Sequence, residues 1–235
     1  MKKIIFAFVT ISVFLFSCKK KEKDPVPTSG NNNVVAGAYS NHQADFIYTQ
    51  YGTTITKDSM AFVSYYESPV TNTSSIVNVN AGNVTLNGVA LNYSSGLYQN
   101  SGPVKVNGPI TWNVSGSGTI TAFTHSYVAV HPTYTGSNLL PDTCTKSSGI
   151  NINVSGVSNA SAVSVSISQG LSSINKQIFS FNGTVNFSVS ELNAFSTAQS
   201  ITISVLCTKY KSEVLGGIEH GFSNKLVYHK FAYLK

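Results

Sequence analysis

The chain has 235 residues, of which 42% are hydrophobic and 10% charged, and its formal net charge of +6 comes from lysine alone, with no arginine. That charge divides into +4 over residues 1–30 (six Lys, two acids) and +2 over residues 31–235 (nine Lys, seven acids). A body so close to neutral, without the bidentate guanidinium that contacts phosphates and guanine edges, argues against nucleic acid as a partner.

The N-terminus predicts export and lipidation. Residues 1–3 (MKK) are a basic start, and residues 4–16 form an apolar run, shorter than the roughly 20 residues of a membrane-spanning helix, as in a signal peptide. Residues 15–18 (LFSC) resemble the lipobox of bacterial lipoproteins. This resemblance implies that residues 1–17 are removed and that Cys18 carries a diacylglycerol thioether and a further acyl chain. Two or three such chains make a stable membrane anchor.

Residues 18–33 predict a flexible tether, because their lysines, prolines and small polar residues cannot bury enough apolar area to fold. No Asp follows Cys18, which resembles lipoproteins that are sent on to the outer membrane. The Ser-Cys-Lys start before a body rich in Asn, Ser and Thr resembles uncharacterised β-rich lipoproteins of the Bacteroidota. The basic residues after Cys18 leave the periplasmic face and the cell surface as alternatives.

Residues 34–135 predict a first β domain. Strands are expected at residues 44–51, 59–66, 75–80, 109–114 and 125–131, where β-branched and aromatic runs are bounded by turn residues. The sequence Asn87-Gly88 predicts a type I′ hairpin over residues 84–91. Trp112 alternates with Ile110 and Val114, which favours a core position over a ligand platform.

Residues 136–148 are predicted as a linker and residues 149–235 as an immunoglobulin-like β-sandwich. The alternation of Val163, Val165 and Ile167 with serines indicates one buried and one solvated face. Residues 179–187 predict a hairpin with a three-residue loop that pairs Phe181 with Val185. Residues 190–195 predict one helical turn, and further strands are expected at 150–155, 162–168, 200–208 and 223–234. The predicted fold is therefore all-β, with two β-sandwich domains behind the tether.

Two cysteines remain besides Cys18. An exported chain could join Cys144 and Cys207 in a disulfide, and a pair of buried free thiols is the equally weighted alternative.

The chain shows little catalytic chemistry. His125 and His131 share a strand face but are about 20 Å apart, too far for one metal ion. His220 and His229 flank a predicted turn and could approach each other, yet no third ligand is near, so a packing or surface role is favoured. Acids are scarce and no spacing selects a catalytic pair. We predict that the protein binds neither a metal ion nor a cofactor and that it is not an enzyme.

The predicted function is binding or adhesion, to a glycan or a protein, through the loops of a lipid-anchored envelope protein. Loop tyrosines are candidate contacts, although edge packing is the favoured role for them: Tyr48, Tyr51, Tyr65, Tyr66, Tyr93 and Tyr98. Asp58-Ser59-Met60 resembles the O-glycosylation motif of exported Bacteroidota proteins, with Ser59 as the acceptor. A periplasm-facing structural or assembly accessory is the alternative function, and an enzyme comes third.

Overall fold

The computed structural model describes residues 39–51, 54–66, 77–100, 109–136, 140–181 and 183–235, and up to residue 60 it describes the backbone only. Among these residues there are strands, turns and short 3-10 turns but no α-helix, which confirms the all-β prediction. The strands are β1 (Tyr39–Tyr51), β2 (Thr54–Tyr66), β3 (Asn78–Val79), β4 (Val84–Leu86), β5 (Val89–Ser94), β6 (Leu97–Gln99), β7 (Pro109–Val114), β8 (Phe123–Val128), β9 (Thr133–Tyr134), β10 (Thr143–Cys144), β11 (Ile150–Asn153), β12 (Val157–Ser158), β13 (Ala162–Gln169), β14 (Ser172–Ile178), β15 (Thr184–Phe187), β16 (Gln199–Leu215) and β17 (Ile218–Leu234).

One continuous sheet of 13 strands runs through both halves of the chain, in the order β14-β13-β16-β17-β1-β2-β6-β5-β4-β7-β8 with β10 and β3 attached at its sides. Neighbours along this path are antiparallel except β1 and β17, which are parallel. The strands β11 and β15 form a separate pair, as do β9 and β12. The β1–β17 pairing therefore joins the two halves that the sequence predicts as separate domains.

The β16–β17 hairpin is the longest element, with 17 residues in each strand. Its turn is Gly216-Gly217, whose φ angles of 60° and 81° suit glycine, and Leu215 pairs directly with Ile218. The sequence predicts shorter strands at 200–208 and 223–234 with a loop between them. The intervening residues 209–222 mix charged and apolar residues around two glycines, so no clear alternation there reveals the strands.

Two hydrophobic cores lie on the same side of this hairpin. The first core is built around Trp112, Tyr65 and Tyr98, and β17 adds Ile218 and Phe222 to it. The second core packs β13, β16 and the C-terminal part of β17 against the β11–β15 pair. The predicted linker is partly inside the fold, because residues 140 and 144 are buried in the second core.

Local patterns predict several elements well. Residues 84–91 form the predicted hairpin, with Leu86 opposite Val89 and with φ angles of 49° at Asn87 and 80° at Gly88. The alternation in β13 is also confirmed, since Val163, Val165 and Ile167 are fully buried. The predicted helical turn is present as a 3-10 turn at Glu191–Ala194.

The hairpin predicted at residues 179–187 is wrong. The strand β14 ends at Ile178 and pairs with β13, whereas β15 pairs with β11 in the other layer. Phe179 is 73% exposed, and Phe181 packs against the second core. The chain crosses between layers here, and this crossing places Val185 and Phe187 in the core in place of a hairpin.

Candidate functional site

The candidate site is the solvated side of β13, β16 and β17, opposite the second core, which we call the open face. Alternate residues of β16 point to the core and are buried, while the residues between them are only partly buried or exposed. Antiparallel register aligns the outward residues of neighbouring strands in rows across the sheet. The open face comprises Ser164, Ser166, Ser168, Ser200, Thr202, Ser204, Leu206, Thr208, Tyr210, Lys225, Val227, His229, Phe231 and Tyr233. Ser223 lies on the same side of β17 but is buried.

Aromatic side chains on β17 stand out from this hydroxyl surface. Phe231 is 51% exposed and Tyr233 is 44% exposed, although both lie on a strand that is paired over most of its length. Phe231 lies opposite Thr202, and Tyr233 lies opposite Ser200. Residues two apart on a strand face the same side, about 7 Å from each other. The two rings therefore lie on the same side of β17, and each is opposite a residue that carries a hydroxyl group.

A histidine continues the row at the next position of the open face. His229 lies opposite Ser204, and its Nδ1 is 2.6 Å from the Ser204 Oγ. Burial lowers the pKa of His229 below its ordinary value of 6.5. The imidazole is thus neutral at pH 7, and it presents hydrogen-bonding capacity without charge.

A third exposed aromatic lies at the far end of the open face. Tyr210 is 51% exposed, and its ring lies across Gly221 so closely that a Cβ added there would be 2.8 Å from the Tyr210 Oη. Burial of the hydroxyl raises the pKa of Tyr210, the charge of Glu219 adds to this, and a hydrogen bond with Ser212 opposes it. The Ser212 hydroxyl in turn donates to Glu219. The absence of a side chain at Gly221 therefore makes room for the Tyr210 ring.

A second cluster of polar and aromatic groups lies where β8 meets the β16–β17 hairpin. His125 Nε2 is 3.2 Å from Glu213 Oε2, and Lys211 pairs with the same carboxylate. The His125 ring contacts Tyr127 and Phe222, with ring centroids 5.4 and 4.6 Å away. Burial lowers the pKa of His125 more than Glu213 raises it. This cluster attaches the far half of the hairpin to β8, and we assign it a structural role.

The histidine predictions have different outcomes. His220 and His229 do not approach each other as the sequence suggested, because both lie on one unbroken strand and are nine residues, or about 30 Å, apart. His220 is instead buried in the first core, and its Nε2 is 3.2 Å from the Leu215 carbonyl oxygen. Within the described ranges no group of three or more His, Cys, Asp or Glu could hold a metal ion.

The predicted core position of Trp112 is confirmed, since it is fully buried. Tyr65 and Tyr98 are buried too, so they are packing residues and not ligand contacts. Of the remaining predicted tyrosines, Tyr93 is exposed and contacts the Tyr98 ring, Tyr66 is half-buried, and the side chains of Tyr48 and Tyr51 lie outside the described part of the chain.

The predicted modification sites lie mostly beyond the described residues. Cys18 and the tether fall outside them, and Ser59 is described only as a backbone position of β2, opposite Phe46. Cys144 and Cys207 are both buried free thiols, the second of the two alternatives. Burial raises the pKa of Cys144, and raises that of Cys207 to about 12. Such thiols form little thiolate and are chemically quiet.

A groove of about 390 Å³ lies between the free edges of β14 and β15. Lys176 points inward from β14 into this groove, donates to Glu191 and to the Asn186 carbonyl, and lies 5.2 Å from the centre of the Phe187 ring. An inward charge on an edge strand discourages pairing with another chain. The groove is therefore better explained as a protected sheet edge than as a ligand site.

Sequence reasoning missed the aromatic residues of the open face. Residues 225–234 (KLVYHKFAYL) carry apolar residues at both parities, so alternation does not say which side is buried. The usable signal is which residues of β17 lie opposite Cys207 and Val205, because these two are core residues on the partner strand. That comparison requires the β16–β17 register, which the Gly216-Gly217 turn supplies.

Together the fold and the open face define an all-β protein with a broad, neutral, hydroxyl-rich sheet surface that carries exposed aromatic rings. In comparisons with known proteins, no protein-family model, curated protein or solved structure matches the chain. Among the described residues, no helix is long and apolar enough to cross a membrane.

Proposed function

We propose that the chain is a lipid-anchored protein of the bacterial outer membrane that acts by binding, as an adhesion or glycan-capture protein, and not by catalysis. The signal peptide and lipobox pattern of residues 1–18 supports the anchor. We also propose that its two cores belong to two immunoglobulin-like sandwich units that share the β16–β17 hairpin. The two separate core clusters support this arrangement.

The open face is the observation that carries the binding proposal. Single exposed apolar residues are ordinary on protein surfaces, but exposed aromatics on one face among polar side chains are typical of recognition surfaces. The prediction from sequence placed binding in loops. We propose instead that binding uses the surface of the sheet, and the exposure of Tyr210, Phe231 and Tyr233 there supports this choice.

Two experiments test the anchor and its orientation. Cys18→Ala should abolish incorporation of labelled palmitate and move the chain from the membrane fraction to the soluble fraction. Cys144→Ala is the matched control, since it removes a cysteine that is buried in the fold and should leave labelling intact. Labelling of the Cys18→Ala chain would contradict the anchor.

Protease shaving of intact cells then distinguishes a protein on the cell surface from one that faces the periplasm. Peptides from residues 31–235 should be released while a known periplasmic protein stays intact, because an adhesion protein must face outward. Full protection of these peptides would instead support the structural accessory, which faces the periplasm and would be sought by cross-linking to envelope proteins.

A further inference from the structure

We infer that the open face binds an extended, neutral polysaccharide, whose sugar rings stack on Phe231 and Tyr233 while its hydroxyl groups bond the serine and threonine rows of β16 and β13. The inference rests on the proposed binding function and specifies its ligand. It draws on three features of the open face: its shape, its charge and the pairing of aromatic rings with hydroxyl groups.

The shape of the open face favours a polymer over a small molecule. Small ligands are bound in concave pockets that enclose most of their surface. The open face is the surface of three paired strands of a curled sheet, and its exposed aromatics lie at both ends, with Tyr210 opposite Ser223 at one end and Tyr233 at the other. Ser223 and Tyr233 are ten residues apart on β17, which corresponds to a distance of about 33 Å along the strand. A chain of several sugar units can cover such a span.

The charge of the open face favours a neutral ligand. Between Ser223 and Tyr233, the described residues of this face on β13, β16 and β17 include one formally charged side chain, Lys225. Binding an anionic polymer depends on several lysines or arginines placed along its path. His229 does not supply such a charge, since burial lowers its pKa and leaves the ring neutral at pH 7.

The pairing of rings with hydroxyls favours sugar over protein. The cores of protein interfaces are enriched in aromatic residues, Met and Arg and are depleted in Ser. Here each exposed ring on β17 lies directly opposite a hydroxyl on β16, with Phe231 facing Thr202 and Tyr233 facing Ser200. A pyranose ring has this same combination, with C–H groups on its flat faces and hydroxyl groups around its rim. Hydroxyl side chains can donate to and accept from such a rim.

The test uses the full-length lipidated chain in mild detergent and its retention on insoluble xylan, cellulose and chitin, with polygalacturonate beads as the anionic comparison. The wild type should be retained on at least one of the neutral polymers. Phe231→Ala combined with Tyr233→Ala should weaken retention about tenfold or more, since one lost ring contact of ordinary strength has that effect. The pair Phe231→Tyr and Tyr233→Phe keeps both rings and should retain binding.

Phe179→Ala is the matched control, because Phe179 is 73% exposed but lies off the open face, and it should bind like the wild type. Retention should also persist from about 50 to 500 mM salt, where screening removes charge-driven binding. Retention that survives loss of both rings, or retention on polygalacturonate alone, would overturn the inference and leave the binding function standing. If the wild type is retained on none of the polymers, the inference is also overturned. Protease shaving of intact cells would still test the proposed function separately.

Discussion

His220 gives the fold a specific sensitivity to acid. Its side chain lies in the first core, 1% exposed, and its Nε2 is 3.2 Å from the Leu215 carbonyl oxygen. A carbonyl oxygen only accepts, so Nε2 carries the proton of the neutral ring. Burial lowers the pKa of His220 from 6.5 to about 4, with a smaller contribution from nearby His125, while the Leu215 hydrogen bond raises it.

The sign of the effect follows from proton binding. The unfolded chain takes up a proton near pH 6.5, but the folded chain does so only near pH 4, so acid favours unfolding between these values. The stability that the neutral His220 contributes is fully present above pH 6.5 and falls as the pH drops from 6.5 towards 4. Linkage gives a loss of about 2 kcal/mol at pH 5 and about 3 kcal/mol at pH 4 from His220 alone.

Urea unfolding followed by Trp112 fluorescence measures this loss, because Trp112 is fully buried in the same core. His220→Phe keeps an aromatic ring beside Phe123, whose centroid lies 4.5 Å from that of His220, but removes the titrating group. The variant should lose about 2 kcal/mol less than the wild type between pH 7.5 and pH 5, whatever its stability at neutral pH. His125 and His229 remain in both chains, so their titration cancels apart from the smaller coupling between His125 and His220. An equal acid loss in wild type and variant would refute the reasoning.

Other predictions follow from buried groups. Tyr98→Phe should cost about 1–3 kcal/mol, because the Ala81 amide donates to the Tyr98 hydroxyl over 2.8 Å and would lose its partner in the core. Peptides carrying Cys207 should resist iodoacetamide in the native chain and react in guanidinium, since burial raises the pKa of this thiol to about 12. Ile203→Ala in the second core should cost about 2–5 kcal/mol and lower the urea midpoint reported by Trp112 in the first core, because the β16–β17 hairpin belongs to both.

Each of these predictions has a result that would contradict it. Tyr93→Phe is the control for the hydroxyl deletion, because Tyr93 is 39% exposed, and an equal loss in both variants would show that the Tyr98 hydroxyl has no special role. Labelling of Cys207 in the native chain would mean that β16 opens locally. An Ile203→Ala chain whose Trp112 transition stays in place would show that the two cores unfold independently.

The sequence predicts what is decided locally. The hairpin over residues 84–91 forms as expected because Asn87-Gly88 fixes both the turn and the register. The buried side of β13 is likewise predictable, since serines alternate with Val163 and Val165. What the sequence does not reveal depends on distant pairing. Nothing near residues 179–187 indicates that β15 pairs with β11, and nothing in β17 indicates that it lies beside β1.

The same dependence explains why the candidate site could not be located from sequence. Along β17 the choice between core and solvent is made by the β16 register, and a slip of one residue would bring Phe231 and Tyr233 into the core and expose Leu226 and Leu234. Such a slip would disrupt both cores together, because β17 supplies buried residues to each. The Gly216-Gly217 turn, by fixing that register, therefore sets the packing of two cores and the composition of the open face at once. Substitutions confined to the open face leave this register untouched, so a change in binding can be attributed to the surface itself.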